Sequence, residues 1–192
     1  MPRLHVIDKI QQVFERKGSS LYGGEAVTQE QHALQAAHLA EESGASSALI
    51  AAALLHDVGH LLHSLPDDAP DEGVDDVHER LGYNFLHRWF GPEVSEPVRM
   101  HVEAKRYLCA MEPGYFETLS PPSVQSLALQ GGPMSPSEVA EYETEPFYKQ
   151  SLVVRKWDDL AKDPERQTPP LAHYLPILRE VLTTPMAAEA IP

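Results

Sequence analysis

Residues 51–60 read AAALLHDVGH, a run of five apolar side chains that ends in His56, Asp57 and His60. The apolar run begins at Ala48, and Leu49, Ile50, Ala53 and Leu54 keep the spacing of a helix. Ser46 or Ser47 supplies an N-cap for it. Ala48–Leu55 is far short of the roughly 20 residues that span a bilayer, so the stretch predicts a buried helix of a globular core. Side chains adjacent on a helix point about 100° apart. His56 and Asp57 can therefore reach ions lying beside the helix end. A carboxylate has two oxygens, so Asp57 can bridge two cations while His56 binds one. The plainer reading is a capped helix end whose histidines meet solvent.

Outward from this stretch the periodicity stays helical. Leu4, Ile7, Ile10, Val13 and Phe14 form one stripe, closed by Gly18. A second helix covers Thr28–Ser43, with Thr28 as N-cap and Gly44 as stop. Further helices are predicted over Val77–Phe90 and over Glu93–Ala110, the latter with a break near Pro97. SPPSVQSLALQ reads as a helix entered through prolines, and Ser135-Pro-Ser-Glu138 as a capping box. Phe147–Ala161 and His173–Leu182 complete the set. No alternating strand pattern and no repeat occurs, and the seventeen prolines fall mostly between helices. The reading is all-α, a single domain over residues 1–185 with a frayed tail at 186–192.

Bulk properties narrow the function. A formal charge of −14 disfavours a polyphosphate partner, which argues against nucleic acid. The N-terminus mixes apolar and charged residues and is no signal peptide, and nothing predicts a membrane span. A lone cysteine, Cys109, excludes an internal disulfide framework and suits a reducing cytoplasm. Ten histidines are many for 192 residues.

Several of those histidines fall on successive predicted helices: His32 before the His56-Asp57 pair, then His78 and His101, with Asp158 late in RKWDDLA. This order resembles the HD-domain superfamily of helical metalloproteins, and LLHDVGH matches its central motif. The resemblance covers most of the chain and implies an HD-domain helical bundle. It implies a dinuclear site: His32, His56 and Asp158 on one metal, His78 and His101 on the other, Asp57 between them. Asp158 competes with Asp159 for the ligand role, and the WD pairing favours Asp158. Four imidazoles and two carboxylates favour a transition metal over magnesium.

Three local stretches narrow the resemblance: YGGE with Tyr22 and Glu25, HVEAKRYL with Lys105 one turn after His101, and LALQGGPM after Ser123 and Ser126. Together they resemble the HD-domain mixed-valent diiron oxygenases of the PhnZ and TmpB type, which cleave the carbon–phosphorus bond of 1-hydroxyphosphonates. Myo-inositol oxygenase is a more distant relative. The resemblance implies two iron ions, Fe(II)/Fe(III), dioxygen as co-substrate, and products phosphate and a carboxylate. It also implies an upstream 2-oxoglutarate-dependent hydroxylase as the source of the hydroxyphosphonate.

By the same resemblance His60, Lys105, Ser123 and Ser126 hold the phosphonate, with Gln130 nearby. Tyr22 and Glu25 form a lid, Glu25 occupying an open iron position until substrate displaces it. Gly23 and Gly24 give that lid mobility. The primary-amine enzymes carry a bulky residue after the lid tyrosine where this chain has Gly23. That favours 1-hydroxy-2-(trimethylammonio)ethylphosphonate, giving glycine betaine, over 2-amino-1-hydroxyethylphosphonate, giving glycine. The ring of Tyr22 offers a face to a quaternary cation, and the loop with Asp67, Asp68, Asp71, Asp75 and Asp76 adds negative field.

Plainer readings stand beside these. Tyr22 can be loop packing, Glu25 a carboxylate near a helix N-terminus, Ser123 a cap, Ser126 a surface residue, and Trp157 core. His5, His38, His63, His87 and His173 read as surface or hydrogen-bonded residues. An HD phosphohydrolase uses the same ligand frame without dioxygen, and a catalytically silent HD module remains a third possibility.

Overall fold

The computed structural model describes residues 2–62 and 77–183, with side chains from His5 onward. The predicted contributions of Leu4, His63, the acidic loop at Asp67–Asp76 and the tail at 186–192 lie outside the described residues. α1 (Pro2–Lys17) buries Val6, Ile7, Ile10 and Phe14 on one face. Gly18 then turns the chain sharply: its N–H bonds the Phe14 carbonyl at 2.7 Å, and a Cβ there would stand 2.5 Å from that oxygen.

α2 (Gln29–Glu42) starts at Thr28, whose hydroxyl accepts the Gln31 N–H while the Gln31 side chain accepts the Thr28 N–H. Ser46 caps α3 (Ser47–Leu55), which is apolar on every side and buried from Ile50 to Leu55. A helix without a polar face must be enclosed, and α3 packs against α2 and three helices from later in the chain. Alanines set the spacing: Ala36, Ala37 and Ala40 of α2 and Ala51–Ala53 of α3 are all essentially inaccessible. Without bulky side chains between them, the two helices approach closely enough for His32 to meet His56.

The chain does not end its helical course at Asp57. His56 and Asp57 form the junction between α3 and the short α4 (Val58–Leu62). α5 (His78–Leu86) begins on top of that junction, after Val77 at φ +46. Gly59 explains how α5 fits. A Cβ at position 59 would lie 1.9 Å from the His78 carbonyl oxygen, so only glycine lets α4 and α5 meet there. Gly59→Ala is expected to push His78 away, lower stability by about 3 kcal/mol and lower Tm by roughly 5–10 °C. By moving His78, a ligand in the dinuclear site that the resemblance implies, it should also cost the ion His78 would hold and spare the other. Calorimetry and metal analysis read the two effects.

α6 (Pro92–Met111) runs unbroken through Pro97, contrary to the break expected there. Pro97 lies in the second turn, so the only intrahelical bond it forfeits is to the carbonyl of exposed Glu93 near the helix start. A 3₁₀ turn, Phe116–Thr118, precedes α7 (Pro121–Leu129). The cap of α7 is Ser120, not Ser123: the Ser120 hydroxyl accepts the Ser123 N–H, with Pro121 and Pro122 filling the first helical positions. α8 (Pro136–Tyr142) carries the predicted Ser135–Glu138 capping box. α9 (Tyr148–Leu160) lies along α6, α2 and α3, and α10 (Leu171–Glu180) closes against α3 and α1. α10 starts two residues earlier than expected and ends two earlier. No strand occurs among the described residues; Leu21–Thr28 and Phe90–Leu182 are isolated bridges. Trp157 sits in the core. No helix among the described residues is long and apolar enough to cross a membrane.

Candidate metal centre and anion pocket

Four helices and one helix junction deliver six side chains to one buried place. His32 comes from α2, His56 and Asp57 from the α3–α4 junction, His78 from α5, His101 from α6 and Asp158 from α9. They divide into two groups that share Asp57: His32, His56, Asp57 and Asp158, and Asp57, His78 and His101. Within each group the donor atoms lie within 4.8 Å of one another.

The two oxygens of Asp57 face different groups. Oδ2 is 3.5 Å from His32 Nε2 and 3.4 Å from His56 Nε2. Oδ1 is 3.3 Å from His78 Nε2 and 3.2 Å from His101 Nε2. Asp158 Oδ1 stands 3.4 Å from His32 Nε2 and 3.9 Å from His56 Nε2.

Backbone carbonyls fix which ring nitrogen faces inward. His32 Nδ1 lies 2.8 Å from the Ala161 carbonyl, His56 Nδ1 2.8 Å from Ala53 and His101 Nδ1 2.7 Å from Val98. Each Nδ1–H donates outward, so each Nε2 turns a lone pair to the cluster. Yet His32 Nε2 and His56 Nε2 are 3.0 Å apart, and His78 Nε2 and His101 Nε2 are 3.1 Å apart. Such pairs need a proton or a shared cation between them. Both Asp57 oxygens are buried without a hydrogen-bond partner, which is costly unless a cation meets them. Donors about 2.1 Å from one ion stand about 3.0–3.4 Å apart between right-angle and tetrahedral geometry, and most of these spacings are of that size. The donor set fits two transition-metal ions.

Proton affinities reflect the same demand for positive charge. Burial disfavours a charged His32, but the adjacent Asp158 and Asp57 carboxylates raise it to about 9. Burial works against the Asp57 carboxylate as well, yet the His56, His101 and His32 rings gathered around it hold it well below the usual range. Asp158 is likewise held low, against its burial, chiefly by the Arg155 guanidinium, whose Nη1 is 2.7 Å from Asp158 Oδ2. The neighbouring Asp159 is occupied differently: Tyr115 and Arg155 both hydrogen-bond it. This is the physical distinction between the two aspartates.

Tyr22 closes one side. Its hydroxyl lies 3.5 Å from Asp158 Oδ1, and its ring stacks on His32 at 3.8 Å between centroids. Burial and the charges of Asp158 and Asp57 raise the phenol well above its ordinary value, so it stays neutral. The ring is not an open aromatic face: His32 covers it, and the Lys162 ammonium stands 5.9 Å from its centroid. The Glu25 carboxylate sits on Ser120 and 3.4 Å from Lys162 Nζ, outside both donor groups. His60, on α4, stacks on His78 at 4.0 Å and meets Tyr22 edge-on.

A second group of polar side chains borders this cluster. Lys105, one turn beyond His101, is buried and donates to Ser126 Oγ at 2.8 Å. Burial, aided by Arg155, lowers its pKa to about 7. Ser123 is buried one turn from Ser126 and accepts a hydrogen bond from Lys162 at 2.9 Å. Gln130 caps the C-terminus of α7 with its Oε1 buried and unpartnered. Lys162 and Arg155 were not foreseen as members of this neighbourhood. Arg155 has a signal, the i, i+3 spacing to Asp158; Lys162 follows the end of α9 and has none.

The other described histidines lie elsewhere. His38 approaches Glu41 and Glu42, His173 pairs with Glu41, His87 bonds the Tyr83 carbonyl, and His5 is exposed.

Comparison with known proteins agrees with this frame. The HD domain family matches residues 30–163, a span that holds every member of both donor groups. A glycine-betaine-forming [1-hydroxy-2-(trimethylamino)ethyl]phosphonate dioxygenase of Leisingera caerulea is 40% identical over 186 residues, covering 97% of this chain and 95% of that protein. A hydroxymethylphosphonate dioxygenase of Gimesia maris is 44% identical over 164 residues, covering 85% and 81%. An uncharacterized protein, L432, of Acanthamoeba polyphaga mimivirus is 36% identical over 180 residues, covering 92% and 82%.

Proposed function

We propose that this chain, which belongs to the HD-domain family, is a dioxygenase that cleaves the carbon–phosphorus bond of a 1-hydroxyphosphonate. The observation that carries the reading is the juxtaposition of two donor groups joined by Asp57 with a buried Lys105–Ser126 pair beside them. The likeness to two hydroxyphosphonate dioxygenases over most of the chain supports it. His32, His56 and Asp158 would hold one iron, His78 and His101 the other, and Asp57 would bridge. When bound as a mixed-valent Fe(II)/Fe(III) pair, the irons supply redox chemistry toward dioxygen and Lewis acidity toward the C1 hydroxyl.

The chain's own groups do the rest. Lys105, Ser123, Ser126, His60 and Gln130 receive the phosphonate oxygens, which a chain of charge −14 can bind only through a local cation and donors. Tyr22, neutral and a donor, covers the cluster with Glu25 and keeps water out. One dioxygen adds to one hydroxyphosphonate, and its two oxygen atoms account for those gained by the carboxylate and phosphate products. The preferred substrate is 1-hydroxy-2-(trimethylammonio)ethylphosphonate, giving glycine betaine. A 2-oxoglutarate-dependent hydroxylase is the reaction class that supplies its C1 hydroxyl, and the reducing cytoplasm suits the single Cys109.

Iron analysis with electron paramagnetic resonance tests the reading. Two irons per chain, a coupled ferrous–ferric signal perturbed by the substrate, and one dioxygen consumed per phosphate released are expected. Full turnover under nitrogen with manganese would replace the reading by phosphohydrolysis.

Gly23 tests the choice of substrate. It has φ +45, and no atom lies within 4 Å of where its Cβ would stand. A β-branched replacement there is strained whatever the space, so asparagine, which tolerates this backbone region, isolates the effect of bulk. Gly23→Asn is expected to lower kcat/KM about tenfold for the trimethylammonio substrate, about the worth of one poorly fitted group. The primary-amine substrate should change much less. Equal losses on both would remove Gly23 from substrate selection.

A further inference from the structure

His32, His56 and His101 are each oriented by a backbone carbonyl beside Nδ1, but those carbonyls differ in origin. His56 uses Ala53 and His101 uses Val98, each three residues earlier in the chain, so ring and acceptor move together. His32 uses Ala161, which is 129 residues away. Ala161 is the first residue past α9, with φ −85 and ψ 41. The last carbonyls of a helix have no partner within it. The direction of this one therefore depends on what holds the turn after α9.

Gln35 holds it. It lies three residues after His32 on α2, shares that face of the helix and is 1% exposed. Its amide donates to the Asp163 carbonyl at 2.7 Å and accepts the Asp163 N–H at 3.1 Å. Two opposed hydrogen bonds to one residue fix where the backbone lies and which way it faces. α2 thus grips the turn twice, His32 at Ala161 and Gln35 at Asp163. The same turn is tied back to a second cluster residue, since the Asp158 carbonyl accepts the Ala161 N–H at 3.2 Å. Asp163 itself is exposed, and its carbonyl also accepts the Arg166 N–H at 3.2 Å. Losing Gln35 would therefore cost the turn its place rather than the chain its fold.

We propose that Gln35 is a positioning residue for His32, acting through the turn that presents the Ala161 carbonyl. The inference rests on the two-metal reading above. Gln35 touches neither donor group's ion nor the substrate; it sets the aim of one ligand, and the group of His32, His56, Asp57 and Asp158 depends on it while that of His78 and His101 does not.

Mass-spectrometric metal analysis of the iron-loaded chain, dialysed against rising chelator, reads the effect. Gln35→Met keeps the side-chain length and deletes both hydrogen bonds. It is expected to lose one ion at a chelator concentration about 10- to 100-fold below that needed for the native chain, the usual cost of a lost outer partner of a ligand histidine. The second ion should be held as in the native chain. The coupled ferrous–ferric resonance should vanish with the first ion, and the Asp163 N–H should exchange faster even in metal-free protein. Gln35→Glu, isosteric and still an acceptor for the Asp163 N–H, should fall between Gln35→Met and the native chain. Ile7→Val, a core truncation in α1, should lower Tm by about 2–5 °C, as Gln35→Met does, and keep native affinity for both ions. Native ion retention in Gln35→Met, equal weakening of both ions, or the same loss in Ile7→Val overturns the assignment while the two-metal reading stands. If the native chain itself retains no iron, the two-metal reading has failed and this assignment falls with it.

Discussion

Asp57→Asn is expected to strip both metals from the protein and to lower turnover by three orders of magnitude or more. The two carboxylate oxygens are divided, Oδ1 toward His78 and His101 and Oδ2 toward His32 and His56. An asparagine keeps one acceptor, and its amide would point hydrogens at two Nε2 lone pairs. That amide can bond a histidine in the metal-free protein, so the substitution favours the metal-free state twice over. Bound ions supply several kcal/mol of charge stabilisation, and each 1.4 kcal/mol is about a factor of ten in rate, hence the size of the loss. His78→Ala is the control. It removes a donor from one group only, and His32, His56, Asp57 and Asp158 remain. Mass-spectrometric metal analysis after dialysis should give about two ions for the native chain, about one for His78→Ala and under about half an ion for Asp57→Asn. Retention of both ions by Asp57→Asn would refute the bridge.

The six side chains that the fold brings together were legible because histidine and aspartate are the residues a metal site requires, and caps marked where some of their helices start. Thr28 and Ser46 cap the helices that end at or carry His32 and His56, as their positions before apolar runs predict. The choice of Asp158 over Asp159 found its reason only in the fold, where Tyr115 and Arg155 hold Asp159. What each glycine meets is not written in its neighbours either: Gly59 is visible in HDVGH, but the His78 carbonyl that demands it comes from the next helix.

Lys162 and the Ala161 carbonyl escaped for a related reason. Both follow the last residue of α9, where helical spacing from Asp158 no longer says which way a side chain points. Their partners, Ser123 and His32, lie 39 and 129 residues away in the chain. Ser120 was legible and overlooked, since serine before two prolines is a strong N-cap signal. Pro97 shows the opposite error: a proline in the second turn of a long helix removes one bond near an end that water already reaches. The acidic and aromatic features first considered for a quaternary cation fare unevenly. The acidic loop is outside the described residues, and Tyr22 already has His32 against its face.

Lys105→Met is the second large effect, and it separates binding from chemistry. Methionine keeps the length and apolar contacts of the stem while deleting the ammonium that donates to Ser126. A buried charged hydrogen bond is worth about 1.5–3 kcal/mol, and each 1.4 kcal/mol is about tenfold, so KM for the hydroxyphosphonate should rise roughly 10- to 150-fold. Metal content should not change, because Lys105 is in neither donor group, and kcat should change far less than KM. The pH profile supplies a second readout. Burial and Arg155 lower Lys105 to about 7, so in the free enzyme the ammonium form is dominant below that pH and lost above it. The dianion, whose second proton is lost near pH 6 by analogy with phosphate esters, needs the ammonium. Native kcat/KM should therefore fall as pH rises through about 7. In Lys105→Arg the guanidinium stays charged throughout, and that fall should disappear; in Lys105→Met the profile should be low and flat across the same range. A native profile with no break near 7, or a Lys105→Met enzyme with native KM, would remove Lys105 from phosphonate binding and leave the metal centre's assignment untouched.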